Sequence, residues 1–141
     1  MCRPRAEALA ASKAPRDLYP TPAYEAGEVR PIKPANILAS LPLPTTGEAF
    51  EQILHCRNLR IERIVSSPEP ETTRYDQDQD EWILLMQGAA SLEIAGDRVE
   101  LGAGDYWFIP AHTPHRVLAT SAEPRCVWLA VHLDPSDVQA E

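Results

Sequence analysis

The sequence of 141 residues is short of several residue types and patterns, and each shortage excludes a class of protein. Its three cysteines, Cys2, Cys56 and Cys126, lack CxxC spacing, which argues against both a zinc ribbon and a disulfide scaffold. No apolar run approaches the ~20 residues of a membrane-spanning helix, and glycine-rich phosphate loops and the GxSxG nucleophile elbow are missing. We therefore expect no membrane partner and, from the sparse cysteines, a reducing compartment, with cytoplasmic localisation as the default. Cys56 and Cys126 fall in predicted strands, where we expect small buried hydrophobes.

Positive charge is also scarce. The chain carries 13 lysine and arginine residues against 21 aspartate and glutamate residues, a formal net charge of −8. Residues 1–40 hold six of the cations and four of the acids, so the remaining chain has 7 cations against 17 acids. Because nucleic-acid affinity depends on clustered cations, we expect no nucleic-acid partner.

Proline is abundant but unevenly placed, since eight of the fourteen prolines lie in the first 44 residues. Each proline removes a backbone donor and fixes φ, which disfavours helices and central strands. We predict a Pro-rich N-terminal tail over residues 1–35, either disordered or lying along the domain surface, and one folded domain over residues 36–141. Residues 36–41, together with 46–52, could form a helical turn or a first edge strand.

Short strand-like runs begin at about residue 50. Apolar and charged residues alternate over Leu59–Val65 and Ser91–Ile94, which is the period of a half-buried strand. Glycine turns separate the runs, and no convincing helical period intervenes. The pattern predicts an all-β fold, a small antiparallel barrel or sandwich. Its eight predicted strands are Gln52–Cys56, Leu59–Ser66, Glu81–Gln87, Ala90–Ala95, Arg98–Leu101, Asp105–Ile109, His115–Ala119 and Arg125–Leu133.

Two segments carry the chemistry: YDQDQDEWILLMQG at 75–88 and GDYWFIPAHTPH at 104–115. They resemble the two motifs of the cupin superfamily, whose members are small β-barrels with a site inside the barrel mouth. Glu81 and its spacing to a glycine match the second half of the first motif, and His115 matches the second motif. The resemblance covers roughly residues 36–133. It implies an antiparallel β-barrel of the double-stranded β-helix, jelly-roll type.

The resemblance also implies a ligand set. A complete cupin site presents three imidazoles and one carboxylate to a metal, but the two histidine positions of the first motif hold Tyr75 and Gln77 here. Glu81, His115 and the amide oxygen of Gln77 are then the implied ligands of a divalent transition metal, Fe, Mn, Ni or Zn. A neutral amide is a poor donor, so a polar pocket without metal is the alternative. In that case Glu81 is hydrogen-bonded to His115, or lies on a solvated loop.

Three further residues are pocket candidates. Tyr75 is a phenol with a pKa near ~10 and a poor metal ligand. His112 either suits a turn bounded by prolines or substitutes for a missing ligand. His132 shares strand parity with Trp128 and would reach the site if that face lines the interior. On the other face it would lie at the surface or in a dimer interface.

These observations predict a cupin-domain protein that binds a small molecule in the barrel interior, with or without a metal ion. The rival hypothesis is a metal-dependent enzyme, an isomerase, cyclase or dioxygenase, using Glu81 and His115 as metal ligands. A third is an interaction module using the acidic face of the domain. The sequence does not decide whether the protein is an enzyme. The resemblance further implies a homodimer, because exposed strand edges of small cupins are often paired.

Overall fold

The computed structural model describes residues 34–71 and 73–135, and the backbone of a short strand earlier in the chain. This described part is all-β, with no helix, which confirms the predicted fold class. Each of the eight predicted strands overlaps one observed strand. The strands are β1 Tyr24–Glu25, β2 Glu48–Cys56, β3 Leu59–Ser66, β4 Asp80–Gln87, β5 Ala89–Ile94, β6 Asp97–Gly102, β7 Tyr106–Ile109, β8 His115–Thr120 and β9 Val127–Leu133.

The strands form two sheets that pack face to face as a jelly roll. The larger sheet has the order β1-β2-β3-β9-β4-β7 and the smaller sheet the order β6-β5-β8. All neighbouring strands are antiparallel except β1 and β2, which run parallel. The two sheets remain separate in their hydrogen bonding, so the barrel is open along its sides.

The hydrophobic core lies between the sheets because alternate residues of each strand point inward. On β4 these are Ile83 and Leu85, which meet Leu92 and Ile94 of β5 in the opposite sheet. Burying an aliphatic side chain of this size stabilises the fold by about 1.5–3 kcal/mol before entropy costs. Trp128 of β9 completes the layer.

The same alternation carries polar residues into one end of this interior. Glu81 precedes Ile83 on β4 by two positions, and His132 follows Trp128 on β9 by four, so both share the inward face. Their Cα atoms are register partners in the β4–β9 pair. The interior is therefore apolar at one end of the sheets and polar at the other.

The segment before β2 forms a turn, which decides between the two predicted alternatives. The backbone N–H of Ala39 donates to the carbonyl of Asn36 at 3.0 Å, and that of Leu38 donates to the Asn36 side chain at 2.8 Å. Residues 46–52, the second segment of that prediction, run into strand β2, which begins at Glu48.

Arg63 ties this turn to the outer face of the larger sheet. Its side chain is 1% exposed and donates to the carbonyls of Ile37 at 3.0 Å and Ala39 at 2.6 Å. A further hydrogen bond of 2.6 Å runs from Arg63 Nε to Glu51 Oε1. The buried guanidinium thus has both a counter-charge and acceptors, as a buried charge requires.

Most of the predicted tail, residues 1–23 and 26–33, lies outside the described residues. Tyr24 and Glu25 form strand β1, with Tyr24 opposite Leu54 of β2. Across the described part of the chain, no helix has the length and hydropathy of a membrane span.

The cysteines differ in part from the prediction. Cys126 is a free and fully buried thiol, as expected. Cys56 is buried too, but it is disulfide-bonded rather than a free thiol. The sparse cysteines argue only against a disulfide scaffold, and the sequence does not predict this bond.

We expect Arg63→Met to lower the free energy of unfolding by about 3 kcal/mol. The substitution removes the hydrogen-bond donor of two backbone carbonyls and the counter-charge of the Glu51 carboxylate. Arg98→Met is the matched control. Its ion pair with Glu100 is well exposed, so its loss should destabilise the protein much less than the loss of Arg63 does. Urea denaturation measures both, and equal losses would contradict the anchoring role of Arg63.

Candidate functional site

A cavity of about 290 Å³ opens between the two sheets at their polar end. Its walls combine apolar side chains with a small number of carboxylates, imidazoles and amides. Such a combination is typical of ligand sites in proteins. The lining residues are Glu48, Phe50, Arg60, Glu62, Ile64, Tyr75, Gln77, Gln79, Glu81, Ile83, Leu92, Ile109, His115, Val117, Trp128 and His132.

Backbone hydrogen bonds hold the two motif segments together at the cavity. The N–H of Tyr75 donates to the carbonyl of His115 at 2.7 Å, and the N–H of His115 returns a bond to Tyr75 at 2.9 Å. The N–H of His112 donates to Gln77 at 2.6 Å, and that of Ala111 donates to an Asp80 carboxylate oxygen at 2.8 Å. The loop before β4 is therefore fixed against the loop before β8.

Glu81 and His115 face each other inside this cavity, from β4 of the larger sheet and β8 of the smaller. His115 Nε2 lies 3.6 Å from Glu81 Oε1, and both side chains are largely buried. The other ring nitrogen, Nδ1, is 2.8 Å from the carbonyl of Thr113. A carbonyl only accepts, so Nδ1 carries a proton and Nε2 is the atom presented to Glu81. The Tyr75 ring stacks on the imidazole with centroids 5.6 Å apart.

The surroundings of His115 favour its protonated form. Burial alone would lower the pKa of the imidazole, but the Glu81 carboxylate and the Thr113 carbonyl outweigh it and raise that pKa above the ordinary value. Burial, together with the carboxylates of Glu48, Glu71 and Glu81, raises the pKa of Tyr75. Tyr75 therefore stays a neutral phenol at physiological pH.

Glu48 adds a second carboxylate, which the sequence analysis missed. Its Oε2 accepts a 2.9 Å hydrogen bond from Ser66 Oγ, which in turn accepts one from Trp128 Nε1, also 2.9 Å long. Burial is the main cause that raises the pKa of Glu48, and repulsion from Glu81 adds to it while the Ser66 bond opposes it. Glu48 and Glu81 thus act on each other electrostatically across the cavity.

A second polar cluster lies around His132. His132 Nε2 is 3.0 Å from Glu62 Oε1, and Gln79 Nε2 is 3.4 Å from His132 Nδ1. Arg60 donates to Asp134 through Nε at 2.7 Å and Nη2 at 2.9 Å, and its Nη1 lies 3.6 Å from Glu62. Every ionisable group of this cluster therefore has a partner.

The structure gathers five of the six sequence-predicted site residues at one cavity. Tyr75, Gln77, Glu81, His115 and His132 all line it. The inner face of β9 is the one that carries His132, which is 5% exposed.

His112 lies outside the cavity wall. It has a positive φ of 62°, its side chain is 71% exposed, and Nδ1 lies 3.5 Å from an Asp76 carboxylate oxygen. The proline-bounded turn explains its position.

Arg60 and Glu62 were also missed, although both belong to the alternating strand β3. Alternation groups Arg60 and Glu62 with Ile64, and Arg63 with Val65, but both groups contain charged and apolar members. Both faces of the strand are covered, since Arg63 and Val65 are buried as deeply as Ile64. The pattern therefore gave no signal for the inner face.

The donor set fits a metal ion only in part. Ligand atoms about 2.1 Å from a first-row metal lie roughly 3.0–3.4 Å apart, and the 3.6 Å between Glu81 Oε1 and His115 Nε2 is close to that spacing. Gln77 supplies an amide where an imidazole would bind more strongly. In residues 34–71 and 73–135, no three His, Cys, Asp or Glu side chains are arranged to hold a metal.

The chain is similar to known proteins of the cupin family in both sequence and structure. The family model of the cupin domain matches residues 65–132. A crystal structure from Ralstonia eutropha JMP134, provisionally named a mannose-6-phosphate isomerase, is 38% identical, with a TM-score of 0.65. The match covers 73% of this chain and 99% of that one.

More distant structures share the fold alone. A cupin superfamily protein from Desulfitobacterium hafniense DCB-2 is 19% identical, covers 74% of this chain and 94% of its own, and has a TM-score of 0.63. Fe(II) HppE is 14% identical, covers 61% of this chain and 50% of its own, and has a TM-score of 0.54. No curated protein matches the sequence.

We expect Glu48→Gln to stabilise the protein at neutral pH. Because the pKa of Glu48 is raised in the folded protein, ionising this carboxyl group destabilises the fold. The destabilisation is absent at pH values below the pKa of Glu48 in the unfolded chain, and it develops as the pH rises through the pKa in the folded protein. The variant keeps an acceptor for Ser66, so its advantage in urea denaturation should be larger at pH 8 than at pH 5.

Glu100→Gln is the control of opposite sign. Hydrogen bonds from Arg98 and Ser91 lower the pKa of Glu100, so its removal should slightly destabilise the protein at pH 8 and have less effect in acid. A Glu48→Gln variant that is less stable than wild type at pH 8 would contradict the assignment.

Proposed function

This chain belongs to the cupin superfamily, and from that premise we propose that it binds a small molecule in the cavity between its two sheets. The observation that carries the proposal is the buried pair of Glu81 and His115, 3.6 Å apart in that cavity. Ligand pockets are commonly apolar clefts of ≈300–1,000 Å³ with a few convergent polar groups. At about 290 Å³ the cavity suits a ligand at the small end of that range.

The apolar and the polar residues of the cavity wall would contact different parts of a ligand. Ile64 and Ile83 of the larger sheet face Leu92 and Val117 of the smaller one, and together they provide apolar contact. Polar atoms of a ligand would be oriented by the Glu81 carboxylate and the His115 imidazole, whose tautomer is fixed through Nδ1. Burial strengthens these interactions because fewer water molecules compete.

A metal-dependent isomerase, cyclase or dioxygenase is the second candidate, favoured by the spacing of Glu81 Oε1 and His115 Nε2. Glu81, His115 and Gln77 would hold the metal, which when bound would supply Lewis acidity or oxygen activation. Because the third donor is an amide, we derive no reaction step through a metal.

The name of the Ralstonia relative suggests a phosphorylated sugar as one ligand to consider. A phosphate dianion would need free cationic donors in the cavity. Arg60 lines the cavity, but Asp134 and Glu62 already surround its guanidinium. This arrangement does not favour a sugar phosphate as the ligand.

We also propose that the protein is a homodimer in solution. β7 lies at the edge of the larger sheet and exposes Tyr106, Trp107 and Phe108 in succession. Adjacent exposed aromatic side chains on a strand edge are typical of protein interfaces. Light scattering tests this proposal, with a mass of about twice 15.6 kDa expected.

We expect Val117→Phe, which fills the cavity, to weaken binding of cavity ligands at least tenfold. Leu118→Phe adds a ring on the same strand but outside the cavity lining, so it should leave affinity within twofold. Ligand-observed NMR with a fragment library measures both. If no fragment bound, or if Val117→Phe had no effect on those that do, the proposed function would be wrong.

For the second candidate, protein purified without chelator or affinity tag should contain near-stoichiometric metal by elemental analysis. That metal should be lost in folded Glu81→Ala and His115→Ala variants, because each removes one of the two strong donors. Metal-free wild-type protein that still binds fragments would exclude this candidate and leave the first.

A further inference from the structure

We infer that the cavity selects an organic cation, a small protonated amine with an apolar or aromatic body. This inference rests on the proposed function and specifies the class of its ligand. It depends on three features of the cavity: carboxylates that include one open to the cavity, an arginine that is already neutralised, and aromatic walls.

The first feature is Glu81. The residue is 8% exposed, lines the cavity, and has as its nearest charged contact His115 Nε2 at 3.6 Å, beyond hydrogen-bond distance. Among the described residues no buried side-chain oxygen lacks a hydrogen-bond partner, so the Glu81 oxygens that no protein donor contacts are open to the cavity. An ammonium group in the cavity would supply both donors and the opposite charge.

The surroundings of Glu81 add to its negative potential. Glu48 and Glu62 also line the cavity, so it holds three carboxylates. Burial is the main cause that raises the pKa of Glu48 and that of Tyr75, and repulsion from the Glu81 carboxylate adds to both. A cation bound near Glu81 and Glu48 would relieve this repulsion, whereas an anion would increase it.

The second feature is the state of Arg60, which is the only lysine or arginine among the described cavity-lining residues. Two of its nitrogens donate to Asp134 at 2.7 and 2.9 Å, and the third lies 3.6 Å from Glu62. A guanidinium with two carboxylates has little capacity left for an anionic ligand. The two imidazoles of the cavity wall, those of His115 and His132, each lie beside a glutamate as well. A carboxylate or phosphate ligand would therefore meet three glutamates and no unpaired cation.

The third feature is the wall composition. Phe50, Tyr75 and Trp128 line the cavity, and the face of an aromatic ring attracts a cation electrostatically. The volume of about 290 Å³ equals that of about ten water molecules in the liquid. A ligand of about ten heavy atoms with one ammonium group matches this space.

Three probes of one shape test the charge preference: 2-phenylethylamine, 2-phenylethanol and phenylacetate. Calorimetric titrations are run at pH 7 on the full chain with EDTA present, which removes metal ions as competing cations. We expect the amine to bind at least about tenfold more tightly than the alcohol, and phenylacetate to bind more weakly than either.

Charge-neutral variants assign that preference to the cavity. Glu81→Gln should bring the affinities for amine and alcohol to within about threefold of each other, and Glu48→Gln should reduce the difference in the same direction if the first variant does not fold. Asp97→Asn removes an exposed carboxylate at the start of β6, outside the cavity, and should leave the preference unchanged.

The outcomes separate the two proposals. Equal affinity for amine and alcohol, with both lost in Val117→Phe, would overturn the cation inference and leave the proposed function intact. A preference for phenylacetate, or no measurable amine binding, would also overturn the inference, and the fragment experiment then decides the proposed function independently. Amine binding that persists unchanged in both Glu81→Gln and Glu48→Gln would place the cation elsewhere and refute the site.

Discussion

A carboxylate and an imidazole held 3.6 Å apart between two sheets are the interaction on which the site depends. Glu81 comes from the larger sheet and His115 from the smaller one, so the pair exists only when the sheets pack correctly. Burial disfavours a charge on His115, and the nearby carboxylate restores it, with a net rise in the pKa of the imidazole. The site is therefore a small polar region maintained inside an otherwise apolar interior.

This arrangement supports the proposal that the cavity binds an organic ligand rather than a metal. The positions that would carry the two missing imidazoles hold Tyr75, whose ring stacks on His115, and Gln77, which is an amide. The phenol covers one face of the imidazole and stays neutral because burial and nearby carboxylates raise its pKa. What remains is a partly aromatic cavity whose wall carries three carboxylates and two imidazoles.

Local patterns in the sequence were sufficient for the strands, and they also grouped His132 with Trp128, because strand periodicity is a property of neighbouring residues. They did not identify Arg60 as a cavity residue, because both faces of β3 are covered and Arg63 is buried by a turn more than twenty residues away. Glu48 was missed since it precedes the first predicted strand, and its carboxylate is held by a hydrogen bond from Ser66 on the next strand. Such long-range contacts leave no local periodic signal.

The most direct measurement of the central interaction is the pKa of the His115 imidazole, followed by NMR in chelator-treated protein and in the Glu81→Gln variant. The account predicts a pKa above the ordinary value of 6.5 in the wild type. In the variant, where burial acts without the opposing carboxylate, it predicts a lower pKa. An imidazole pKa at or below 6.5 in the wild type, or one that Glu81→Gln leaves unchanged, would contradict it.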